Sequence, residues 1–186
     1  MEEAECMISL EKIKEKDLSL IAQWKTNISI TKYIDTKPII TLKEQLNWLE
    51  NIRNDRKCRY WIINNYGIKI GIVKLNNIDF ENKICNLEYY IGDLHFRGRK
   101  ITPILFYNIY EYVFEYMNFK QIRCNIKTSN KHAIHISKNM GYEIEEKLKH
   151  DTYNNKTDID DVFLSITKEK WNGIKNNYNF EKIVIE

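Results

Sequence analysis

The sharpest chemistry in the sequence lies in one run, Tyr89-Tyr90-Ile91-Gly92-Asp93-Leu94-His95-Phe96-Arg97-Gly98-Arg99-Lys100-Ile101-Thr102-Pro103. It reads as a strand, then a loop holding Gly92, Gly98 and the cations Arg97, Arg99 and Lys100, then the start of a long helix. The first turn of a helix leaves its backbone N–H groups without partners and carries about half a unit of positive charge. Such an end can seat an anion, and a pyrophosphate placed there would also meet the neighbouring Arg and Lys charges. Pro103 suits that first turn, where a missing N–H costs least. On spacing alone, a solvated basic turn joining two elements remains open beside a phosphate seat.

The elements that must hold this loop can be read from periodicity. Residues 6–13 are strand-like, and Asp17 opens a helix with Leu18, Ile21, Ala22 and Trp24 at helical spacing. Thr41-x-x-Glu44 is a capping-box pattern ahead of the stripe Leu42, Leu46, Leu49 and Ile52. Three strands follow, at residues 59–64, 68–78 and 84–91, separated by turns at 65–67 and 79–83. The longest helix is expected over 101–117, with Ile101, Leu105, Ile109, Tyr112 and Tyr116 on one face. A strand at 121–127, a helix at 130–139, a strand from about Tyr142 and a last strand at 162–166 complete the pattern, before a polar, Asn-rich extension from about residue 172. The order β-α-α-β-β-β-α-β-α-β-β is mixed α/β (α+β), in which antiparallel meanders flank a β-α-β crossover. The whole chain, 1–186, is expected to form one domain.

Composition narrows the function classes. With 43% hydrophobic and 30% charged residues the chain has the balance of a soluble globular protein. No apolar run approaches the roughly 20 residues of a membrane helix. The start Met1-Glu2-Glu3-Ala4-Glu5 lacks a basic flank and apolar core, so the sequence predicts a cytoplasmic protein without a membrane partner. The 29 basic and 26 acidic residues balance too evenly for a nucleic-acid partner, which would show a basic face. Cys6, Cys58, Cys85 and Cys124 are widely spaced, which argues for reduced packing residues. His132 and His135 could share a helix face but lack further ligands at metal-binding spacing, so no metal is expected.

The loop resembles motif A of the GNAT acetyltransferases, Arg/Gln-x-x-Gly-x-Gly/Ala, in which loop amides and a helix start grip the pyrophosphate of CoA. Arg97 and Gly98 match its opening, while Lys100 and Thr102 stand where the family usually has Gly, and Gly or Ala. Asn130-x-x-Ala133-Ile134-x-Ile136-x-Lys138-x-Met140-Gly141-Tyr142 is similar to the family's motif B, with Ser137 at its frequent tyrosine. Trp24-Lys25-Thr26, residues 40–48, Gly71-Ile72-Val73, residues 79–82 and Tyr90-Ile91-Gly92-Asp93 further resemble the nucleotide-sugar N-acetyltransferases of pseudaminic acid biosynthesis. That subgroup acetylates the 4-amino group of a UDP-linked amino sugar. The resemblance spans about Ile8 to Trp171. It implies a central, mostly antiparallel twisted sheet flanked by helices, with a splayed parallel strand pair at a CoA cleft. It also implies acetyl-CoA as cosubstrate and a small-molecule amine, such as a UDP-amino sugar, as acceptor. A homodimer is admissible.

Acetyl transfer requires a placed thioester, a neutral amine and stabilised charge on the attacked carbonyl. By resemblance, the backbone near Tyr90 and Ile91 holds the thioester and pantetheine arm. Arg97, Gly98, Arg99, Lys100, Ile101 and Thr102 then hold the diphosphate, and Asn130 caps its helix beside CoA. Glu88 is the candidate base, because strand alternation places it on one face with Asn86 and Tyr90; a surface glutamate is the plain alternative. Ser137 stands where the family keeps the tyrosine that protonates the leaving thiolate; Tyr142 or water could replace it, and Ser137 can also be an ordinary helix residue. Trp24 and Trp48 read more readily as core than as substrate platforms. The residues from Asp158 to Asp161 are expected to solvate or cap the turn before the last strand. Two alternatives keep the fold: a polyamine acceptor, recognisable by an acidic groove, or a protein N-terminal one, and a catalytically weakened acetyl-CoA-binding protein.

Overall fold

A computed structural model describes residues 8–33, 41–98, 100–149 and 159–186, with side chains described up to 145 and again from 161. Most of the longer strands are rich in β-branched and aromatic residues. The strands are β1 (Ile8–Lys12), β2 (Arg59–Asn65), β3 (Ile68–Asp79), β4 (Ile84–Ile91), β5 (Gln121–Lys127), β6 (Glu143–Lys149), β7 (Ile159–Thr167) and β8 (Val184–Ile185). The helices are α1 (Leu18–Thr26), α2 (Ile28–Thr31), α3 (Leu42–Asn54), α4 (Ile101–Glu111), α5 (Lys131–Asn139) and α6 (Lys168–Ile174). The Thr41–Glu44 capping box is present: Thr41 Oγ1 accepts from the Glu44 N–H, and Glu44 accepts from the Thr41 N–H.

Among the described residues the strands form one sheet in the order β6-β7-β5-β4-β3-β2-β1-β8. Only the β4/β5 and β1/β8 pairs run parallel. One face carries α4 and a core built around Leu105, Ile109, Tyr110, Phe114 and Trp171. The other carries α1 and α3, which bury Leu18, Ile21, Trp24 and Leu49 against Ile62 and Ile72. This is the mixed, mostly antiparallel arrangement expected, with its parallel pair in the middle of the sheet.

Two readings of the sequence need correction, and a third segment gains a place in the fold. The long helix changes pitch at its end: α4 stops at Glu111, and a wider turn over Tyr112–Tyr116 closes with the Met117 N–H on the Tyr112 carbonyl. Tyr116 is therefore turned out to solvent and is not part of the buried stripe. The polar extension after residue 172 packs back on the fold. Asn108 in α4 donates to the Glu181 carbonyl and accepts from the Ile183 N–H, and the chain then adds β8 beside β1. The last long strand begins at Ile159, so Asp161 lies inside it opposite Lys127, not in a preceding turn; Asp158 and Cys6 lie outside the described residues.

Candidate active site

Strands β4 and β5 pair only at Ile84↔Gln121, Cys85↔Ile122 and Asn86↔Arg123. Past Asn86 each is held on its outer side alone, β4 by β3 through Ile91↔Gly71 and β5 by β7 through Lys127↔Asp161. The opening between them is a cleft of about 550 Å³, lined by residues 87–91 on one wall and 124–127 on the other. Two bonds fix which backbone groups face it. The Lys83 carbonyl accepts from Lys120 on the β5 side, and the Gly92 N–H donates to Ile70 on the β3 side. Strand alternation then turns the N–H and C=O groups of Leu87, Tyr89 and Ile91 into the cleft and those of Glu88 and Tyr90 toward β3. The backbone donors available to an extended ligand arm are thus Tyr89 and Ile91. Tyr90 contributes its side chain.

The loop after β4 closes one end of the cleft. Asp93 caps a short turn by accepting from the His95 N–H at 3.0 Å. Arg97 Nε donates to the Ile91 carbonyl at 3.2 Å, which holds the guanidinium at the cleft mouth. Gly98 has φ +75°, a backbone state costly for other residues, and this turns the chain into α4. Lys100 is the exposed first residue of that helix end, which has no side-chain cap. Of the two residues behind it, Ile101 buries its side chain in the core, so only its amide remains for a ligand. The Thr102 hydroxyl meets the Tyr89 hydroxyl, whose proton burial makes hard to remove. Arg99 lies outside the described residues. On the opposite wall Asn130 caps α5 through the Ala133 N–H at 3.2 Å and borders the same cleft.

Behind the parted strands the cleft widens toward α1, α2 and α3. Glu88 faces this end: one oxygen takes Lys74 Nζ at 2.8 Å and the other Asn76 Nδ2 at 2.7 Å, and the side chain remains 42% exposed. Lys25, from the last turn of α1, lies over the Trp48 ring at 4.2 Å. Burial, and next the charge of Lys74, lower its ammonium pKa to about 8. Trp48 packs edge-on to Tyr60, and Tyr90 edge-on to Trp24. The buried Tyr90 hydroxyl has no hydrogen-bond partner among the described residues, and burial raises its pKa. Trp24 is core: Gly92 lies so close to its ring that a Cβ there would stand 2.3 Å from Cδ2. Trp48, half-buried, is a wall of the cleft. Lys25, Lys74 and Tyr60 were not marked as site residues by sequence. Lys25 sits inside the quoted Trp24-Lys25-Thr26 motif, whereas Lys74 reaches Glu88 only through the β3/β4 register.

Ser137 is buried on α5, borders the cleft and meets the Cys124 thiol, which burial holds up at about 12. Tyr142, also bordering the cleft, is buried beside Tyr110 and has its pKa raised well above the ordinary phenol value. His132 edges the cleft, and His135 bonds Asn139. Among the described residues no three His, Cys, Asp or Glu side chains gather as a metal site, and no helix is long and apolar enough to cross a membrane. A larger open depression of about 1470 Å³ at the ends of β1 to β3 holds none of these groups except the Tyr60 ring.

Comparison with known proteins agrees with this geometry. Residues 8–143 match the family model of the acetyltransferase (GNAT) domain. The spermidine N(1)-acetyltransferase of Escherichia coli is 22% identical over 148 residues, 80% of this chain and 79% of that protein. The acetyltransferase PseH of Campylobacter jejuni is 24% identical over 147 residues, 77% of this chain and 89% of that protein. A crystal structure of spermidine N-acetyltransferase from Vibrio cholerae, in complex with CoA and spermine, superposes with a TM-score of 0.79 at 20% identity. It covers 89% of this chain and 98% of that one. The parted β4/β5 pair, the uncapped helix start behind a basic loop, and the family match over most of the chain lead to one conclusion: this protein belongs to the GNAT acetyltransferases and is a GNAT-type N-acetyltransferase.

Proposed function

We infer that the protein transfers the acetyl group of acetyl-CoA to the primary amine of a nucleotide-linked amino sugar, by direct attack in a ternary complex. In this reading the diphosphate of CoA rests on the start of α4 against Arg97 and Lys100, and the pantetheine arm runs along the free edge of β4. The N–H groups of Tyr89 and Ile91 steady the thioester carbonyl as it gains charge. A preorganised donor of that kind contributes on the order of 3 kcal/mol to the transition state. Glu88 takes the proton from the acceptor ammonium, directly or through water. The sulfur leaves as a thiolate, which needs little help near neutral pH because a thiol's pKa is about 8.5. This tolerates Ser137 in place of a tyrosine.

The observation that carries the acceptor class is the charge at the wide end of the cleft. Lys25 and Lys74 stand there among Trp48, Tyr60 and Tyr90, and the nearest carboxylate, Glu88, is already paired with Lys74. Lys25 on the Trp48 face, with no carboxylate partner among the described residues, and Lys74 beside it, shared with Glu88, suit a phosphate-bearing nucleotide. They repel a polycation, although relatives named for spermidine share the fold. The test is CoA release measured with a thiol reagent for three amines: a UDP-linked 4-amino sugar, the same sugar without its nucleotide, and spermidine. The nucleotide sugar should be turned over with the highest kcat/KM by at least about 100-fold, the range expected when two charge-assisted contacts are lost together. Preference for spermidine would replace this acceptor by the polyamine. No CoA release with any amine, in a protein that binds acetyl-CoA tightly, would favour a sensor.

A further inference from the structure

We propose that, when acetyl-CoA is bound and no acceptor is present, the protein acetylates its own Lys25 at Nζ, so that the acceptor groove is itself a modification site. This rests on the acetyl-transfer reading above and adds to it an acceptor supplied by the chain.

Lys25 and Lys74 both reach the wide end of the cleft, where the acceptor's amine has to lie. Lys74 is committed to Glu88 at 2.8 Å. Lys25 has no carboxylate partner among the described residues; its Nζ rests on the Trp48 ring, a weak hold that leaves the nitrogen lone pair free once the proton is gone. Trp48 from α3 and Lys74 from β3 act on it directly, and Glu88 and Tyr90 from β4, Tyr60 from β2 and Tyr33 after α2 line the same cleft. Lys69, paired with Asp17, and Lys168, paired with Glu115, do not line this cleft. The environment of Lys25 also makes it a better nucleophile. With burial and Lys74 bringing its pKa to about 8, roughly one-tenth of the amine is neutral at pH 7, about three hundred times the fraction of an ordinary lysine.

The step balances without any further reactant. Neutral Nζ attacks the thioester carbonyl, a C–N bond forms, the C–S bond breaks, and the sulfur departs as a thiolate. The nitrogen's proton passes to Glu88 or water, and solvent protonates the thiolate. The products are Nε-acetyl-lysine and CoA. Acetylation removes one of the two cations of the groove, so the modified protein should hold an anionic acceptor less well. A bound acceptor would occupy the space between Lys25 and the thioester and protect the lysine.

The experiment incubates the wild-type protein with isotopically labelled acetyl-CoA at pH 7.5, without acceptor, and maps the label by peptide mass spectrometry. Lys25 should take up one acetyl group at least tenfold faster than the exposed Lys43 and Lys131. The rate should not depend on protein concentration, and excess CoA or a UDP-amino sugar should suppress it. The urea-unfolded chain should show no preference for Lys25. Labelling of Lys25 no faster than Lys43, or a rate that scales with protein concentration, overturns the proposal. The same preparation is assayed for CoA release with the amine panel. Turnover with Lys25 unlabelled sinks the self-acetylation alone, whereas a protein that neither binds acetyl-CoA nor turns over any amine sinks the acetyl-transfer reading with it.

Discussion

Lys74 and Glu88 face each other across the β3/β4 ladder, Nζ to Oε2 at 2.8 Å, at the point where the cleft widens toward α1. Asn76 holds the second carboxylate oxygen at 2.7 Å, so the group that can take a proton is fixed in place and half open to the cleft. Glu88→Gln keeps the shape and removes the proton acceptor. It should lower kcat on the order of 100-fold, the usual contribution of a placed base. Acetyl-CoA affinity by calorimetry should stay within about twofold, because Glu88 faces the acceptor end. A kcat within about threefold of wild type would reduce Glu88 to an ion-pair partner of Lys74.

Acceptor binding should depend on pH through Lys25. Its pKa in the free protein, about 8, lies below the ordinary lysine value of 10.5 because burial, then Lys74, disfavour the ammonium. A bound phosphate favours that ammonium and raises the pKa again. Affinity for the nucleotide sugar should therefore weaken as pH rises from 7 to 9, and binding near pH 8.5 should take up protons, seen as a heat that varies with the buffer's ionisation enthalpy. Lys25→Met should weaken binding at pH 7 and flatten the profile. In the free protein, the folded state binds fewer protons than the unfolded one between pH 8 and 10.5, so this group's contribution to stability rises with pH across that window.

Arg97 is placed by its bond to the Ile91 carbonyl, at the mouth between β4 and α4. Replacing it by alanine removes a charged donor from the diphosphate seat. The dissociation constant for CoA should rise roughly 10- to 100-fold, the cost of one or two charge-assisted bonds. The salt dependence of binding should become shallower, while thermal stability without ligand stays near wild type. Equal CoA affinity in Arg97→Ala would move the diphosphate elsewhere.

Gly92 and the Trp24 ring are in such close contact that a Cβ at position 92 would meet Cδ2 at 2.3 Å. Gly92→Ala must push the ring, and with it the edge-on Tyr90, out of place. Overpacking of this kind costs about 1–3 kcal/mol. Urea unfolding followed by circular dichroism should show a lower midpoint with an unchanged slope, and an unchanged midpoint would mean that Trp24 has room to move.

Much of this fold could be read along the chain. The alternating run that becomes β3 and the Thr41-x-x-Glu44 box carry their signals within a dozen residues, and both elements form as read. β8 could not be foreseen: two residues that pair Ser9 with Val184 leave no periodicity, and their anchor is Asn108, a buried amide midway along an otherwise apolar helix. The site divides in the same way. The basic run from Arg97 to Thr102 is contiguous, so its residues could be named as candidates for an anion seat from the sequence alone. The wide end of the cleft is assembled from α1, α3, β2, β3 and β4, so Lys25, Trp48, Tyr60, Lys74 and Glu88 become neighbours only through register. Residue types alone could not separate the roles of Ile101, whose side chain serves the core, from that of its amide.

A diphosphate held between the parted strands and the start of α4 is what acetyl transfer by the proposed route requires first. Isothermal titration of the wild-type protein with CoA and, separately, with pantetheine, which has the same thiol arm but no diphosphate, tests this directly. CoA should bind with an affinity at least about 100-fold above that of pantetheine, and Arg97→Ala should narrow the gap. Equal binding of the two ligands, or no binding of CoA at all, would contradict the account.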